Sequence, residues 1–294
     1  MNGVLVVDKP AGITSQACVS RVKKILGVKK AGHTGTLDPM ATGVLPICLG
    51  EATKIASYLA AGDKLYRATM VLGVETDTLD MEGEVISQRT PFVTPSQVKE
   101  VMKGLVGKIE QKPPYFSAVK YRGQPLYRWA RRGVKVDVPS RQVEVYNIEI
   151  EHIDLPCVRF LISCSSGTYV RVLCADAGKM LGCGASLKEL RRLKCGPFGE
   201  KEAVSLDETA GYEEKIFSLN EALVHLPAIE VSAEWEKKLR QGIPPTEKVF
   251  EGHDISSLNR GDVIKFINQS GELIALAKWE GDGRAKIGRV FHGR

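Results

Sequence analysis

Residues 64–72 read KLYRATMVL and residues 158–164 read VRFLISC. In the first stretch Tyr66, Ala68, Met70 and Leu72 fall on one side of an extended chain, with Arg67 and Thr69 on the other. In the second, Val158, Phe160, Ile162 and Cys164 alternate in the same way. A period of two marks a strand with one buried face. Directly afterwards Ser166-Gly167 turns the chain, and Val170, Leu173, Cys174, Ala177 and Leu181 recur at helical spacing until Gly182. A glycine just past the last periodic residue is a helix stop.

Working outward, an opening strand ends in the turn Asp8-Lys9-Pro10-Ala11-Gly12. Ser15 is then the expected N-cap of a helix that turns Val19, Val22 and Leu26 inward and stops at Gly27. Thr94-Pro95-Ser96-Gln97 is a capping box with proline at the first helical position, and it opens a helix with Val98, Val101, Met102 and Leu105 on one stripe. Strands and helices interleave irregularly, with hairpin-length gaps between several strands. The expectation is an α+β fold, a mixed, mainly antiparallel sheet flanked by helices, rather than a doubly wound parallel one. Near Pro227 the texture changes. A short helix over 233–241, a break at Pro244-Pro245 and short strands over 263–267, 272–279 and 286–291, with glycine-rich turns, predict a small β-barrel. The boundary falls near Ala228 and divides the chain into 1–228 and 229–294.

The chain has 294 residues, 43% of them hydrophobic and 26% charged, which fits one large domain with or without a small one. Seven cysteines, an odd number and never in a C-x-x-C pair, argue against a disulfide framework or a thiolate zinc site and for a reducing cytoplasm. Val4-Leu5-Val6-Val7 is too short for a signal-peptide core, and no stretch approaches the ~20 apolar residues of a membrane-spanning helix. No phosphate loop, dinucleotide fingerprint, nucleophile elbow or histidine pair at metal-ligand spacing occurs. Catalysis would have to rest on side chains, without metal or cofactor.

The densest polar, glycine-framed segment runs from Gly32 to Gly43 and holds one carboxylate, Asp38. Flanking glycines permit close approach of a ligand to the main chain, although Asp-Pro also simply starts turns, and His33 reads equally as a capping or surface residue. The net charge of +6 is modest but concentrated. Between Lys108 and Lys135 lie Lys112, Lys120, Arg122, Arg128, Arg131 and Arg132, opposed only by Glu110 and interleaved with Tyr115, Phe116, Tyr121, Tyr127 and Trp129. Cations with aromatics suit a nucleic-acid surface, where charge tracks phosphates and rings stack on unpaired bases. A solvated helix face is the plain alternative. Arg191-Arg192 and Lys194 form a second, weaker cluster.

At these residues a family becomes recognisable. KPAGITS from Lys9 to Ser15, GHTGTLDPMATGVLPICLGEATK from Gly32 to Lys54, Tyr66 with Leu72-Gly73, and TDTLD from Thr76 to Asp80 are similar to the type-B (TruB) pseudouridine synthases, the bacterial tRNA pseudouridine-55 synthases. So are SAVK from Ser117 to Lys120 with Tyr127 and Ala130-Arg131, SGTYVR from Ser166 to Arg171, and Leu190-Arg191-Arg192. The resemblance spans nearly the whole chain, and its C-terminal part resembles the RNA-binding PUA domain.

The resemblance implies a pseudouridine synthase fold and an isomerase that detaches uracil from ribose, rotates it and rejoins it through carbon, with no cofactor. Asp38 takes the catalytic position, either attacking the sugar or base covalently or removing a ribose proton. Arg171 is expected to pair with it and, by its charge, to lower its pKa. Tyr66 would stack on an extruded base, Tyr169 and Leu190 would line its pocket, and His33 would fill the space it leaves; core packing is the alternative for Tyr66, Tyr169 and Leu190. Lys9, Lys120, Arg131 and Arg132 are expected phosphate contacts. The implied partner is tRNA, through its T-arm and acceptor end, acted on by a cytoplasmic monomer without an obligate protein partner or a membrane. The alternatives are a guide-RNA-dependent rRNA synthase, or a non-catalytic RNA-binding or RNA-folding protein.

Overall fold

The computed structural model describes residues 1–134, 136–207 and 211–292. Its main element is a ten-stranded sheet. From one edge its order runs Val204–Ser205, Gly3–Lys9, Thr42–Leu49, Ala185–Cys195, Lys64–Leu72, Cys157–Cys164, Arg141–Asp154 and Gly107–Gln111, with Ala31–His33 alongside Thr42–Leu49 and Phe198–Gly199 alongside Ala185–Cys195. Only two neighbours are parallel, Gly3–Lys9 with Val204–Ser205 and Thr42–Leu49 with Ala185–Cys195; the other pairings are antiparallel. The expected mixed, mainly antiparallel sheet is what forms. The alternation in 64–72 and 158–164 is realised as one antiparallel pair in which Tyr66 faces Ile162 and Met70 faces Val158.

Helices Ser15–Ile25, Pro95–Gly104 and Val170–Met180 cover one face of this sheet, burying Val19, Val22, Val98, Met102, Leu173 and Cys174 against Leu5, Leu45, Met70 and Phe160. The capping box at Thr94 and Gln97 forms as expected. At the other face Val4, Val6, Val44 and Cys48 meet Leu59, Phe198 and Leu223 together with Leu276 and Phe291 from the C-terminal part. The strand Gly3–Lys9 is thus buried on both sides, which is why its sequence is a continuous apolar run instead of an alternation.

The first helix departs by one residue from expectation. Thr14, not Ser15, is the N-cap, its side chain accepting from the Ala17 N–H at 3.0 Å. Ser15 is buried in the first turn, where its hydroxyl accepts from the Leu37 N–H at 2.8 Å and lies 3.0 Å from the Leu37 carbonyl. A hydroxyl that looks like a cap in sequence pins a distant loop.

The C-terminal part carries a four-stranded sheet in the order Ala228–Val231, Val263–Asn268, Leu273–Gly281, Arg284–Val290, with helix Ala233–Arg240 packed on it. Its core includes Ile229, Leu239, Phe250, Phe266 and Trp279, and Phe250 sits edge-on to Trp279. Leu273, Leu276 and Phe291 turn away from that core to the large sheet.

Where Thr42–Leu49 meets Ala185–Cys195 the two backbones come unusually close. Gly43 has φ +101°, and a Cβ there would stand 2.2 Å from the Arg192 carbonyl oxygen. Gly43→Ala therefore combines backbone strain with an unavoidable clash, and it should lower unfolding free energy by about 2 kcal/mol or more. A urea midpoint unchanged by that substitution would contradict the close approach.

Candidate active site

The strand Ala31–His33 leads into the loop 34–41, and Thr42–Leu49 leads out of it. Asp38 sits at the turn of this loop, and bonds from four directions fix the residues around it. The buried guanidinium of Arg192 donates to the Gly35 carbonyl at 3.1 Å and to the Val44 carbonyl at 2.7 Å. Ser15 holds Leu37. The ammonium of Lys9, fully buried, donates to the carbonyls of Pro10 at 2.8 Å, Ile13 at 2.8 Å and Pro39 at 3.0 Å. The Gly12 N–H also reaches the Pro39 carbonyl, at 2.9 Å. Leu37 and Pro39 are thus both tied, and Asp38 lies between them.

Arg171 approaches from the start of helix Val170–Met180 and is 4% exposed. One terminal nitrogen donates to Asp38 Oδ1 at 3.1 Å and to the Phe116 carbonyl at 2.7 Å. The other donates to the Thr78 carbonyl at 3.2 Å and stands 3.6 Å from Asp80 Oδ2. Asp80 is itself buried and held by the Thr78 hydroxyl at 2.6 Å and the Glu82 N–H at 3.1 Å. Two carboxylates therefore share one guanidinium. Burial pushes the Asp38 carboxyl above its ordinary pKa; the Arg171 charge pulls it down by less, and the neighbouring Asp80 adds to the rise. The pair with Arg171 is as expected, but the net direction is the reverse of the sequence expectation, because desolvation outweighs the cation.

Asp38 and Arg171 line a cavity of about 370 Å³ with Tyr66, Tyr169 and Leu190. Thr34, Lys64, Ser117 and Arg192 contribute to the same wall. Tyr66, projecting from the Lys64–Leu72 strand, is nearly buried, and burial pushes its phenol up to about 12, so it is neutral at physiological pH. Leu190 is 9% exposed. The Thr34 and Ser117 hydroxyls and Nε of Arg171 are buried in this wall without a hydrogen-bond partner. A concave site with an apolar lining, a few converging polar groups and a perturbed carboxyl has the form of an active site.

Two family models match the chain, TruB family pseudouridylate synthase (N terminal domain) over residues 23–170 and tRNA pseudouridylate synthase B C-terminal domain over residues 171–251. The tRNA pseudouridine synthase B of Syntrophus aciditrophicus is 47% identical, with 100% of both chains covered. The chain belongs to the TruB family of pseudouridylate synthases. A second protein of that name, from Geobacter sulfurreducens, is 42% identical over 99% of this chain and 100% of its own length. Among solved structures, an archaeal box H/ACA sRNP Nop10–Cbf5 complex matches with TM-score 0.74 and 28% identity, covering 99% of this chain and 86% of that one. An H/ACA RNP bound to a substrate RNA containing 2′-deoxyuridine matches with TM-score 0.75 and 27% identity, at the same coverage.

Of the residues expected from the TruB resemblance, Asp38, Tyr66, Tyr169, Arg171 and Leu190 meet in one cavity. His33 stands outside its lining, in the short strand paired with Ile47; its Nδ1 is buried and unpartnered, and burial together with the Arg192 charge lowers its pKa below the ordinary histidine value. Lys9 does not offer its charge to a phosphate, since the ammonium is spent on three carbonyls inside the protein. Of the Arg191, Arg192 and Lys194 cluster, only Arg192 is internal; Arg191 is half-buried and paired within the protein, and Lys194 is exposed. Arg191 forms a two-bond pair with Asp8 at 3.0 and 2.9 Å and reaches Glu200 at 2.7 Å, and Arg192 is buried. Lys120, Arg131 and Arg132 are exposed, as are Arg122 and Arg128; Lys135 lies outside the described residues. The aromatics there divide. Tyr121 and Trp129 stack edge-on and pack beside Leu126, Val136 and Val138, whereas Tyr115 is exposed and Arg131 lies over the Tyr127 ring.

The sequence reading did not single out Asp80, Gln111, Ser15 or Arg192 as site residues. Asp80 stood at the end of a recognised motif, but nothing local distinguishes it from a turn aspartate. Lys9→Met should lower stability by about 1–3 kcal/mol through unpaired buried carbonyls. It should leave the slope of log tRNA affinity against log salt unchanged, whereas neutralising Lys120, Arg131 and Arg132 together should flatten that slope. Salt titrations of the two variants read both; a flattened slope for Lys9→Met would return that side chain to the RNA surface.

Proposed function

We propose that this chain converts the T-loop uridine at position 55 of tRNA to pseudouridine, with Asp38 as the group that acts on the nucleoside. The coarser statement follows from family membership: the chain is a tRNA pseudouridine synthase, an isomerase. The reading of roles is supported above all by the Asp38–Arg171 pair, 3.1 Å apart, in the wall of a cavity whose other walls carry Tyr66, Tyr169 and Leu190.

In the reaction the bond from ribose C1′ to uracil N1 breaks, the base rotates, and a bond from C1′ to C5 forms, with the C5 proton lost and one returned to N1. The ionised Asp38 serves either as nucleophile or as base toward the ribose. Arg171 fixes the carboxylate direction and opposes its protonation. The target must leave its loop, at a cost of a few kcal/mol in lost stacking. Tyr66, Tyr169 and Leu190 offset that cost with ring and apolar contact, and His33, at the end of the strand Ala31–His33, fills the space the base vacates. Lys120, Arg131 and Arg132 supply charge for phosphates.

We also infer that the chain divides near Ala228 and that 229–294 is a PUA-like unit gripping the acceptor end. The separate core of Ile229, Phe266 and Trp279 supports this division. The similarity to H/ACA complexes favours one second reading, a guide-dependent enzyme. Activity of the purified chain alone on a T-arm stem-loop separates the two, and we expect it to be active.

Asp38→Asn should abolish tritium release from C5-labelled uracil while tRNA affinity stays within about fivefold. Turnover at the wild-type rate would remove Asp38 from the mechanism. Since the carboxylate is the active form, activity rises with pH through its pKa. The raised pKa places the acid limb of kcat/KM above the ordinary aspartate range. Arg171→Met, which removes the main opposing cation, should move that limb to still higher pH. Folding stability runs the opposite way: because the folded pKa of Asp38 lies above the unfolded one, stability from neutral Asp38 is present below the unfolded pKa and lost as pH rises through the folded value. A limb at or below pH ~4, or one that falls in Arg171→Met, would contradict this electrostatic account.

A further inference from the structure

Helix Val170–Met180 delivers Arg171 to the cavity, yet its start lacks the usual local fixing. The residue at the N-cap is Tyr169, a poor capping residue, and no side-chain cap bond forms there. The restraint comes from another strand. Gln111 ends the edge strand Gly107–Gln111, where Lys108 and Glu110 point to solvent and Gln111 points inward, 2% exposed. Its side-chain oxygen accepts from the Tyr169 N–H at 2.9 Å, and its side-chain nitrogen donates to the Tyr169 carbonyl at 3.3 Å. Tyr169 has φ −101° and ψ 105°, an extended conformation that turns both groups to one side, so one amide matches both. The same carbonyl accepts the Leu173 N–H that begins the helix.

An amide at a core-facing strand position costs free energy unless both of its ends are paired. Here both ends are paired with one residue, which lies between the pocket-lining Thr168 and Arg171. Gln111 itself does not line the cavity. We propose that Gln111 is a positioning residue for the isomerisation: by clamping the Tyr169 peptide it sets the entry of the catalytic helix and so places the Tyr169 ring and the Arg171 guanidinium against the substrate. It also ties the basic segment to the chemistry, because the chain leaves Gln111 through buried Pro113 and Pro114 to Phe116, whose carbonyl receives Arg171. The inference rests on the roles of Asp38 and Arg171 given above.

Gln111→Met keeps the side-chain volume close while removing both bonds. With saturating C5-tritiated tRNA, its single-turnover rate should fall about 10- to 100-fold, the scale of a small misplacement at a reacting centre. Binding of tRNA should stay within about threefold. The acid limb of the rate should move to higher pH, because a loosened Arg171 opposes Asp38 protonation less. In an Arg171→Lys background the same substitution should cost far less than in wild type, since the group it positions is already altered. A rate within about twofold of wild type overturns the proposal. So does a loss of rate with an unmoved acid limb and full additivity with Arg171→Lys. If Gln111→Met does not fold, Gln111→Glu, which keeps the acceptor for the Tyr169 N–H, is read by the rate and the additivity test. Failure of the Asp38 reading is seen separately, as wild-type turnover by Asp38→Asn.

Discussion

One buried guanidinium gathers the candidate active site. Arg171 takes a carboxylate oxygen from the 34–41 loop, a second carboxylate and a carbonyl from the 76–80 turn, and another carbonyl from residue 116. These segments are far apart in sequence and belong to no common secondary structure. A planar cation with five N–H donors in a fixed fork can hold several oxygens in set directions, which an ammonium cannot. Removing one member of such a buried group leaves the others uncompensated, so Arg171 orders the cavity.

That arrangement carries a tension. The proposed role needs Asp38 ionised, but burial makes the charge costly, and two carboxylates compete for one cation. The fold meets this cost with rigidity. Ser15, Lys9 and Arg192 spend buried side chains on the backbone of the 34–41 loop and leave the carboxylate itself free of further donors apart from Arg171 among the described residues. A carboxylate wrapped in several N–H donors would be firmly ionised but a poor nucleophile or base. Holding the backbone while leaving the oxygens sparsely bonded keeps Asp38 placed and reactive.

Much of the architecture was legible because it is periodic or locally punctuated. The alternation in 64–72 and 158–164, the capping box at Thr94 and the spacing after Val170 each translate into an element from a window of about ten residues. The cavity residues were legible through family motifs. What escaped depends on long-range partners. Ser15 looks like a cap because Thr14 and Ser15 are chemically alike, and only the return of Leu37 separates their roles. Lys9 reads as a phosphate-facing cation because sequence does not reveal three carbonyls closing around it, and Arg191 reads as part of a basic cluster because sequence does not reveal Asp8 and Glu200 beside it. Gln111 carries no signal at all: a glutamine at the end of a short strand is ordinary until Tyr169 lies opposite.

The same internal use of cations bears on how RNA is held. Lys9, Lys64, Arg171, Arg192 and Lys265 are buried, against a single buried carboxylate among the strongly buried charged residues, Asp80. Most of the formal excess of +6 therefore cannot meet a phosphate. Contact with a polyanion then depends on where the remaining positive charge is concentrated rather than on its total. The 108–134 segment has that concentration: Lys120, Arg122, Arg128, Arg131 and Arg132 are exposed on a small unit with its own apolar cluster of Leu126, Val136 and Val138. Because this unit joins the sheet at Gln111 and meets the guanidinium at Phe116, its exposed positive charge lies on the same segment that reaches Arg171. On the proposed roles, seating of the RNA and alignment of Asp38 with Arg171 are linked through the chain between residues 111 and 117.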